Sequence, residues 1–360
     1  MEARTDGRMR SMRFYVGLGV VIGVIILVAL AFIPLPYYIF SPGSANPLAP
    51  MITVSGGHKT EKGEFMMTTV SVLYAQNIYE FLYGLTIPHR QILPESLVSS
   101  GLPDPEYTAI ESYMMYTSHQ NSKIAAFRYL HLPLRVTPDG VYVVYVASDS
   151  TATEKLRDGD VITGLNGHKV TTAQGLIDQL GHDRPGQVVR LAVKRGHKTL
   201  PITVRLTTLP PLPGHKGARA GIGILPGAAN AVTSPYRVTI NTGNIDGPSA
   251  GFMFSLEIVN QLYRGGDLTR GYKIAGTGTI SADGTIGQIG GIQHKVIAAS
   301  AEGATYFFAP KDRVKGDTNQ LHAEQTAQNL HLPIKVIPVH TLADAIHFLM
   351  SLPPKSGKIA

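Results

Sequence analysis

The stretch "NTGNIDGPSAGFMFSLEIV", residues 241–259, places a serine among small residues just before a long apolar run. The run predicts a helix that begins at Ser249. A serine at this position is favoured as an N-cap, since its hydroxyl accepts a bond from a free backbone N–H. Gly247 and Gly251 lack a Cβ, so a substrate backbone could also approach closely. A helix N-terminus presents free N–H groups and a positive dipole end, which an oxyanion hole needs. Ser249 is therefore either a cap or a nucleophile.

A nucleophilic serine needs a base that takes its proton. Residues 247–251 fit G-x-S-x-G, the pattern of α/β-hydrolases, which use a later aspartate and histidine. That fold needs most of its parallel sheet before the serine, whereas this serine follows a proline-rich linker by roughly 35 residues, so a triad is disfavoured. A lysine can act instead if burial disfavours its charged form. Lys295 lies in the apolar, glycine-rich segment "GTIGQIGGIQHKVIAAS", residues 284–300, although a lysine near a helix start is more often a solvated charge.

Two blocks, "DGPSAG" at 246–251 and "GGIQHK" at 290–295, together resemble the proteolytic domain of Lon-type serine peptidases. The resemblance covers the last part of the chain and implies that Ser249 is the nucleophile and Lys295 the general base. Thr277, in "GTGTI" at 276–280, would orient the lysine. Backbone N–H groups around Ser249 would hold the oxyanion, in a loop that includes Asp246, Gly247 and Ala250. Whether Asp246 is catalytic or only shapes the loop is left open.

Composition limits the other function classes. The net charge is +7, but lysines and arginines form no stripe interleaved with aromatic residues, so nucleic-acid binding is not expected. The 360 residues contain no cysteine and no H-E-x-x-H pattern, so we expect neither a metal site nor a cofactor. No G-x-x-x-x-G-K-[ST] pattern occurs, so we expect activity without ATP.

The N-terminal residues suggest an anchor. Four arginines precede residues 14–33, "FYVGLGVVIGVIILVALAFI", which carry no charge. Twenty apolar residues in a helix span ~30 Å, the thickness of a bilayer core. The basic flank predicts a cytoplasmic tail over 1–13, a single transmembrane helix over 14–33 and a cell-membrane protein whose catalytic domain is extracytoplasmic. The alternatives are a cleaved signal peptide and a buried helix.

The middle of the chain has a different pattern of predicted secondary structure. Strands, a short helix and the turn "LRDGDVITGLNG" over 136–208 resemble a PDZ domain of the bacterial protease-associated type. Such a domain adds a peptide to an open strand edge beside a helix. We place this edge at Val141, Tyr142 and Val143, facing a helix at 173–180. The alternative is a PDZ-like spacer whose groove is covered by its own chain.

These elements predict an α+β multidomain protein. Its parts are a tail (1–13), a transmembrane helix (14–33), a small α/β extracytoplasmic region (41–135), a PDZ-like β domain (136–208), a linker (209–217) and a Lon-type α+β proteolytic domain (218–352). This order resembles the membrane-anchored PDZ–Lon peptidases of Gram-positive bacteria, one branch of which processes secreted peptide pheromones.

The sequence thus predicts a membrane-anchored, ATP-independent serine endopeptidase that cleaves peptides or exposed protein segments with a Ser–Lys dyad. The alternative is a non-catalytic, peptide-binding adaptor with a degenerate Lon-like domain. Lon-type domains often form rings, so assembly into a homo-oligomer is left open.

Overall fold

A computed structural model describes residues 3–59, 62–211, 217–243 and 245–355. The α-helices of these residues, in chain order, are α1 (Ala3–Leu30), α2 (Ile78–Thr86), α3 (Glu95–Val98), α4 (Asp104–Tyr129), α5 (Ala173–Leu180), α6 (Gly251–Leu262), α7 (Ile292–Ala301), α8 (Asn319–Asn329) and α9 (Leu342–Ser351). A 3₁₀ turn, Pro248–Ala250, immediately precedes α6.

The strands are β1 (Tyr37–Pro47), β2 (Ile52–Val54), β3 (Glu64–Tyr74), β4 (Gln91–Pro94), β5 (Arg135–Val146), β6 (Val161–Leu165), β7 (His168–Lys169), β8 (Val188–Arg195), β9 (Lys198–Arg205), β10 (Thr207–Leu209), β11 (Arg219–Gly221), β12 (Ile224–Thr233), β13 (Val238–Ile240), β14 (Lys273–Gly276), β15 (Thr279–Ile280), β16 (Ile286–Gly287), β17 (Tyr306–Pro310) and β18 (Lys335–Val339). Linker residues 212–216 lie outside the described residues.

The chain divides into two compact units, Met1–Gly43 with Thr69–Leu102, and Ser44–Thr68 with Pro103–Ala360. In the first unit, residues 37–40 of β1 pair antiparallel with β4. Helix α2 begins after Asn77, whose side chain accepts bonds from two backbone N–H groups of the first turn, as an N-cap does. The boundaries predicted for the separate domains stay predictions.

Helix α1 corrects one expectation. It ends at Leu30 rather than Ile33, so its apolar part, residues 14–30, is about 17 residues and ~26 Å long, against ~30 Å for a bilayer core. Among the residues described by the structure, none of the helices has the length and apolar character needed to cross a membrane. The prediction of a transmembrane helix over 14–33 is therefore wrong, and so is the cell-membrane location that rested on it.

One half of the second unit is built around a parallel sheet. Strand β14 pairs with residues 64–67 of β3 on one side and with β17 on the other, and β18 pairs with β17. Parallel strands of this kind are buried on both faces, and Ile274, Ala275 and Phe307 are fully buried here. The carboxyl end of β14 leads directly to Thr277, so the sheet fixes the position of that residue.

Helix α6 lies at the centre of this half. Its residues 251–261 are all buried, and Phe252, Met253 and Phe254 belong to the same core cluster as Phe65 and Phe308. Most of these residues are apolar, and a helix of this kind is stable when it is buried on all sides. Burial of α6 therefore fixes its N-terminus, where Ser249 lies.

An antiparallel sheet forms the other half, in the order β12-β5-β6-β8-β9. Helix α5 closes a separate apolar core with this sheet, to which Leu176, Leu180 and Val141 belong. In the turn "RDGD", the buried Asp160 accepts two bonds from the Arg195 guanidinium, at 2.7 and 2.8 Å, and one from the Arg157 backbone N–H. A buried carboxylate is tolerated because it is paired in this way. Strand β12, within the stretch predicted as proteolytic, thus belongs to the PDZ-like sheet.

Replacing Gly63 by alanine tests the entry into β3. An added Cβ would lie 2.2 Å from the Tyr272 carbonyl oxygen and 2.7 Å from the Thr269 hydroxyl oxygen. We expect a loss of roughly 1–3 kcal/mol in the free energy of unfolding, as for overpacking elsewhere. Denaturant unfolding would measure the change. In the control Gly290→Ala, an added Cβ meets nothing within 4 Å, so stability should stay unchanged or rise slightly. Equal behaviour of the two variants would contradict this close contact.

Candidate active site

Ser249 lies within the 3₁₀ turn and caps neither helix. The N-cap positions of the 3₁₀ turn and of α6 are Gly247 and Ala250, and neither makes a side-chain cap bond. Gly247 has φ of +93°, a conformation that glycine adopts at little cost. This sharp entry leaves the Ser249 side chain partly exposed. Of the two interpretations of Ser249, the structure therefore excludes the cap.

Two neighbours hold the Ser249 backbone. The Thr277 hydroxyl donates to the Ser249 carbonyl oxygen at 2.9 Å, and the Gly278 N–H donates to the same oxygen at 2.7 Å. Thr277 is itself fixed by its N–H bond to the Phe308 carbonyl of β17. The parallel sheet and the serine turn are thereby joined by direct hydrogen bonds.

Lys295 lies in the first turns of α7, which begins after Gly291 in a left-handed conformation at φ of +67°. Ile292 and Val296 on the same helix are buried, and Lys295 is only 4% exposed. Its ammonium nitrogen Nζ lies 2.6 Å from Ser249 Oγ and 3.1 Å from Thr277 Oγ1. The structure thus brings together Ser249, Lys295 and Thr277, which are distant in sequence.

Burial lowers the pKa of Lys295 from its usual 10.5 to about 8. The cause is desolvation, which disfavours the charged ammonium form. A substantial fraction of this amine is therefore neutral near pH 8, and only the neutral amine can accept a proton. A hydrogen bond of 2.6 Å gives it a direct path to the serine hydroxyl.

The turn before Ser249 contains the other predicted residues. Gly247 and Ala250 are buried, and Asp246 is exposed, with its carboxylate at 3.5 Å from the Ser112 hydroxyl. Sequence reasoning missed Glu111 of α4, whose carboxylate lies 3.1 Å from the point where a Cβ of Gly247 would be. Burial, and then the charge of Asp246, raise the pKa of Glu111. Nothing in the pattern around residue 111 points to this contact, because it joins segments more than a hundred residues apart.

The predicted PDZ edge, Val141, Tyr142 and Val143, lies in the interior of the sheet. Residues 141–143 pair with residues 226–228 of β12 on one side, and residues 141–142 pair with β6 on the other. Between α5 and the residues that lead into β12, a cavity of about 70 Å³ remains, room for about two water molecules. Strand β12, and not β5, is thus the outermost strand of the sheet, and residues of β12 and α5 line this cavity. The choice between an open groove and a covered one stays a prediction.

For metal binding, the described part of the chain holds no cluster of three or more His, Cys, Asp or Glu side chains that could ligate an ion.

Two family models match the chain. Residues 120–206 match the PDZ domain, and residues 237–351 match the Lon protease (S16) C-terminal proteolytic domain. Ser249, Thr277 and Lys295 all lie in the second match. No curated protein matches the chain.

Solved PDZ structures are similar to part of the chain. The PDZ domain of an SdrC-like protein from Listeria monocytogenes is 34% identical, over 26% of this chain and 92% of that one, with a TM-score of 0.23. The corresponding domain from Listeria innocua is also 34% identical, over 24% of this chain and 93% of that one, with a TM-score of 0.22. A structure from Geobacillus thermodenitrificans is 25% identical, over 24% of this chain and 97% of that one, with a TM-score of 0.21.

Replacing Lys295 by methionine should stabilise the protein at pH 7. The pKa of Lys295 is about 8 in the folded state and 10.5 at its usual value, so below pH 8 the folded state carries the full cost of a buried charge. Between pH 8 and 10.5 the unfolded state binds more protons, so wild-type stability rises with pH. The advantage of Lys295→Met, up to about 3 kcal/mol at pH 7, should therefore shrink over this range.

Denaturant unfolding of both proteins across pH 7–10 would measure this difference. The control Ser249→Ala retains the lysine and should keep the wild-type pH dependence. A difference between wild type and Lys295→Met that does not change with pH would contradict the lowered pKa.

Proposed function

We propose that this chain, which carries a PDZ domain and a Lon-type S16 proteolytic domain, is a serine endopeptidase with Ser249 as nucleophile and Lys295 as general base. The observation that carries the proposal is the 2.6 Å separation of Lys295 Nζ and Ser249 Oγ, with the amine almost completely buried. A solvated lysine at this position would be protonated at neutral pH and could not take the proton. Burial therefore supplies the neutral amine that the reaction needs.

In the first step, the neutral amine of Lys295 takes the Ser249 hydroxyl proton while Oγ attacks the substrate carbonyl carbon. The tetrahedral intermediate collapses as the Lys295 ammonium gives its proton to the leaving amine. This step breaks the peptide bond and leaves an ester on Ser249. Lys295 then takes a proton from water, which attacks the ester, and the proton returns to Ser249 as the acid product leaves.

Thr277 orients the base in this mechanism. Its hydroxyl proton is directed to the Ser249 carbonyl oxygen, so its lone pairs are free to accept an N–H from Lys295. An amine that donates to Thr277 has its remaining lone pair available for the Ser249 hydroxyl. Thr277 is thus a positioning residue for Lys295.

Backbone N–H groups at the start of the 3₁₀ turn hold the oxyanion in this proposal. The first N–H groups of a helical segment have no partner within it, and those of Ser249 and Ala250 lie at this end. They are directed by the same turn that presents the nucleophile. Asp246 is exposed and its carboxylate faces the Ser112 hydroxyl of α4, so in this proposal it shapes the turn rather than moving a proton.

The substrates we propose are flexible peptides or exposed segments of folded proteins. No Walker A pattern occurs in the sequence, so the chain itself supplies no ATP-driven unfolding. An extended segment can reach a partly exposed serine without such a step.

The adaptor alternative relies on peptide binding by the PDZ-like sheet, and the edge predicted at residues 141–143 is paired with β12. It also gives no reason to bury an amine against a serine hydroxyl, an arrangement that costs stability. The contacts of Lys295 therefore favour the enzyme over the adaptor.

Reaction of the full chain with a fluorophosphonate probe tests the proposal. We expect covalent labelling of Ser249 in the wild type and none in Ser249→Ala. Lys295→Met should lose roughly 10²–10⁴-fold in labelling rate, the usual contribution of a general base, while thermal unfolding shows an intact fold. Cleavage of an unstructured peptide should fall in parallel. Near-normal turnover by Lys295→Met would rule out the dyad, and an inert Ser249 in the wild type would favour the adaptor.

The pH dependence of labelling reports on the base separately. Because only the neutral amine accepts the proton, the rate should rise about tenfold per pH unit below the pKa of Lys295, about 8, and level off above it. Rates measured from pH 6 to 9.5 would locate the midpoint. In Lys295→Met this midpoint should disappear. A wild-type rate that is flat across this range would mean that another group, or none, acts as base.

A further inference from the structure

Two backbone carbonyl groups flank the α-carbon of Ser249, that of Pro248 before it and that of Ser249 itself. Each accepts a hydrogen bond from a side chain of a different element. The Ser249 carbonyl accepts from Thr277 and Gly278, as described above. The Pro248 carbonyl accepts from Ser118 Oγ of α4 at 3.1 Å. Ser118 lies outside the residues matched by the proteolytic-domain model, which begin at 237.

Helix α4 makes two more bonds to the same region. Ser122 Oγ lies 2.8 Å from the Gly251 carbonyl oxygen and 2.6 Å from the Ser118 carbonyl oxygen, so its one proton is shared between them. The Asn121 side-chain amide donates to the Ile280 carbonyl at 3.1 Å. Ser118 is 3% exposed and Ser122 is fully buried. Three polar side chains within five positions of one helix therefore contact the serine turn and the strand that follows Thr277.

Gly247 and Gly251, on either side of Ser249, lie against side chains of α4. A Cβ on Gly251 would lie 2.4 Å from Ser118 Oγ, and one on Gly247 would lie 3.1 Å from Glu111 Oε2. From the sequence, the missing side chains of both glycines are expected to leave room for a substrate. In the structure, their missing side chains leave room for α4.

Contacts outside the site also hold helix α4 in place. The Tyr113 hydroxyl bonds to both the N–H and the carbonyl of Ala228 in β12, at 2.7 and 3.2 Å. Tyr116 packs against Tyr142 of β5, with ring centroids 4.6 Å apart. At the other end, Arg128 donates to the Ala282 carbonyl. The helix is thus attached to the PDZ-like sheet and to the proteolytic domain, which limits its freedom to move Ser118.

We propose that Ser118 is a positioning residue that holds the Pro248–Ser249 peptide so that Ser249 Oγ stays in reach of Lys295. This inference rests on the proposed function and extends the active site to a helix outside the matched proteolytic domain. Its basis is that the Ser118 side chain bonds to the serine turn. Among the residues that the structure describes, the bond of the neighbouring Thr117 side chain is to the Met114 carbonyl of its own helix. Loss of the Ser118 hydroxyl leaves the Pro248 carbonyl with the Gly251 N–H of its own turn and removes its bond to α4.

The test compares Ser118→Ala with Thr117→Ala in the full chain, by fluorophosphonate labelling over a range of probe concentrations and pH values. In Ser118→Ala we expect the maximal labelling rate to fall about tenfold, the usual effect of one lost bond to a buried acceptor. The pH midpoint should stay at its wild-type value, since Ser118 does not contact Lys295. Half-saturating probe concentration should change little. Thr117→Ala should match the wild type in all three.

The outcomes separate this proposal from the one it rests on. A wild-type protein that is not labelled at Ser249 contradicts the proposed function itself. A labelled wild type with an unchanged maximal rate in a folded Ser118→Ala overturns the positioning role alone, as does an equal fall in Thr117→Ala. If Ser118→Ala does not fold, Ser118→Cys replaces it, because a thiol has a similar shape but is only a weak donor. We expect the same fall in maximal rate at an unchanged pH midpoint, and a wild-type rate in that variant also overturns the proposal.

Discussion

The short contact between the Lys295 amine and the Ser249 hydroxyl depends on keeping a lysine out of water. An ammonium group loses several kcal/mol of hydration when it is buried, and a protein can reduce this cost by lowering the pKa of the group. Here Ile292 and Val296 of α7 are apolar and buried, and in the described part of the chain Nζ makes hydrogen bonds to two hydroxyl oxygens. Stability is therefore lost in exchange for an amine that is neutral at moderate pH, as the proposed general base must be, and such a trade is common at active sites.

The surrounding elements hold the serine turn in position beside Thr277. The parallel sheet fixes Thr277, the buried helix α6 fixes the serine turn, and α4 lies across both. Each element is rigid because it belongs to the same large apolar core. Polar bonds from Thr277 and Ser118 then define the position of the Ser249 backbone within this frame. A proteolytic domain without α4 would lack one side of that frame.

Strand β12 pairs with the edge that was predicted to bind a peptide and is itself the outermost strand of the PDZ-like sheet. The edge of β5 that would accept an extended peptide is paired along its length with β12, and Pro226, which has no N–H, lies in that pairing. Since β12 also receives the Tyr113 hydroxyl, the strand links the sheet to α4. The PDZ-like sheet and α4 are thereby joined through β12.

Much of the site could be predicted from local sequence. The small residues around Ser249 and the apolar, glycine-rich segment around Lys295 describe a sharp turn and a buried lysine, and these depend on neighbours a few positions away. The extent of α4 also follows from local sequence, because the helix contains no glycine and its one proline lies in the first turn. What could not be predicted involves partners that are distant in sequence: the strand that covers β5, the helix that faces Gly247 and Gly251, and the residue at which α1 ends. Backbone edges and glycine surfaces accept many partners equally well, so only the packing of the whole chain decides which partner occupies each one.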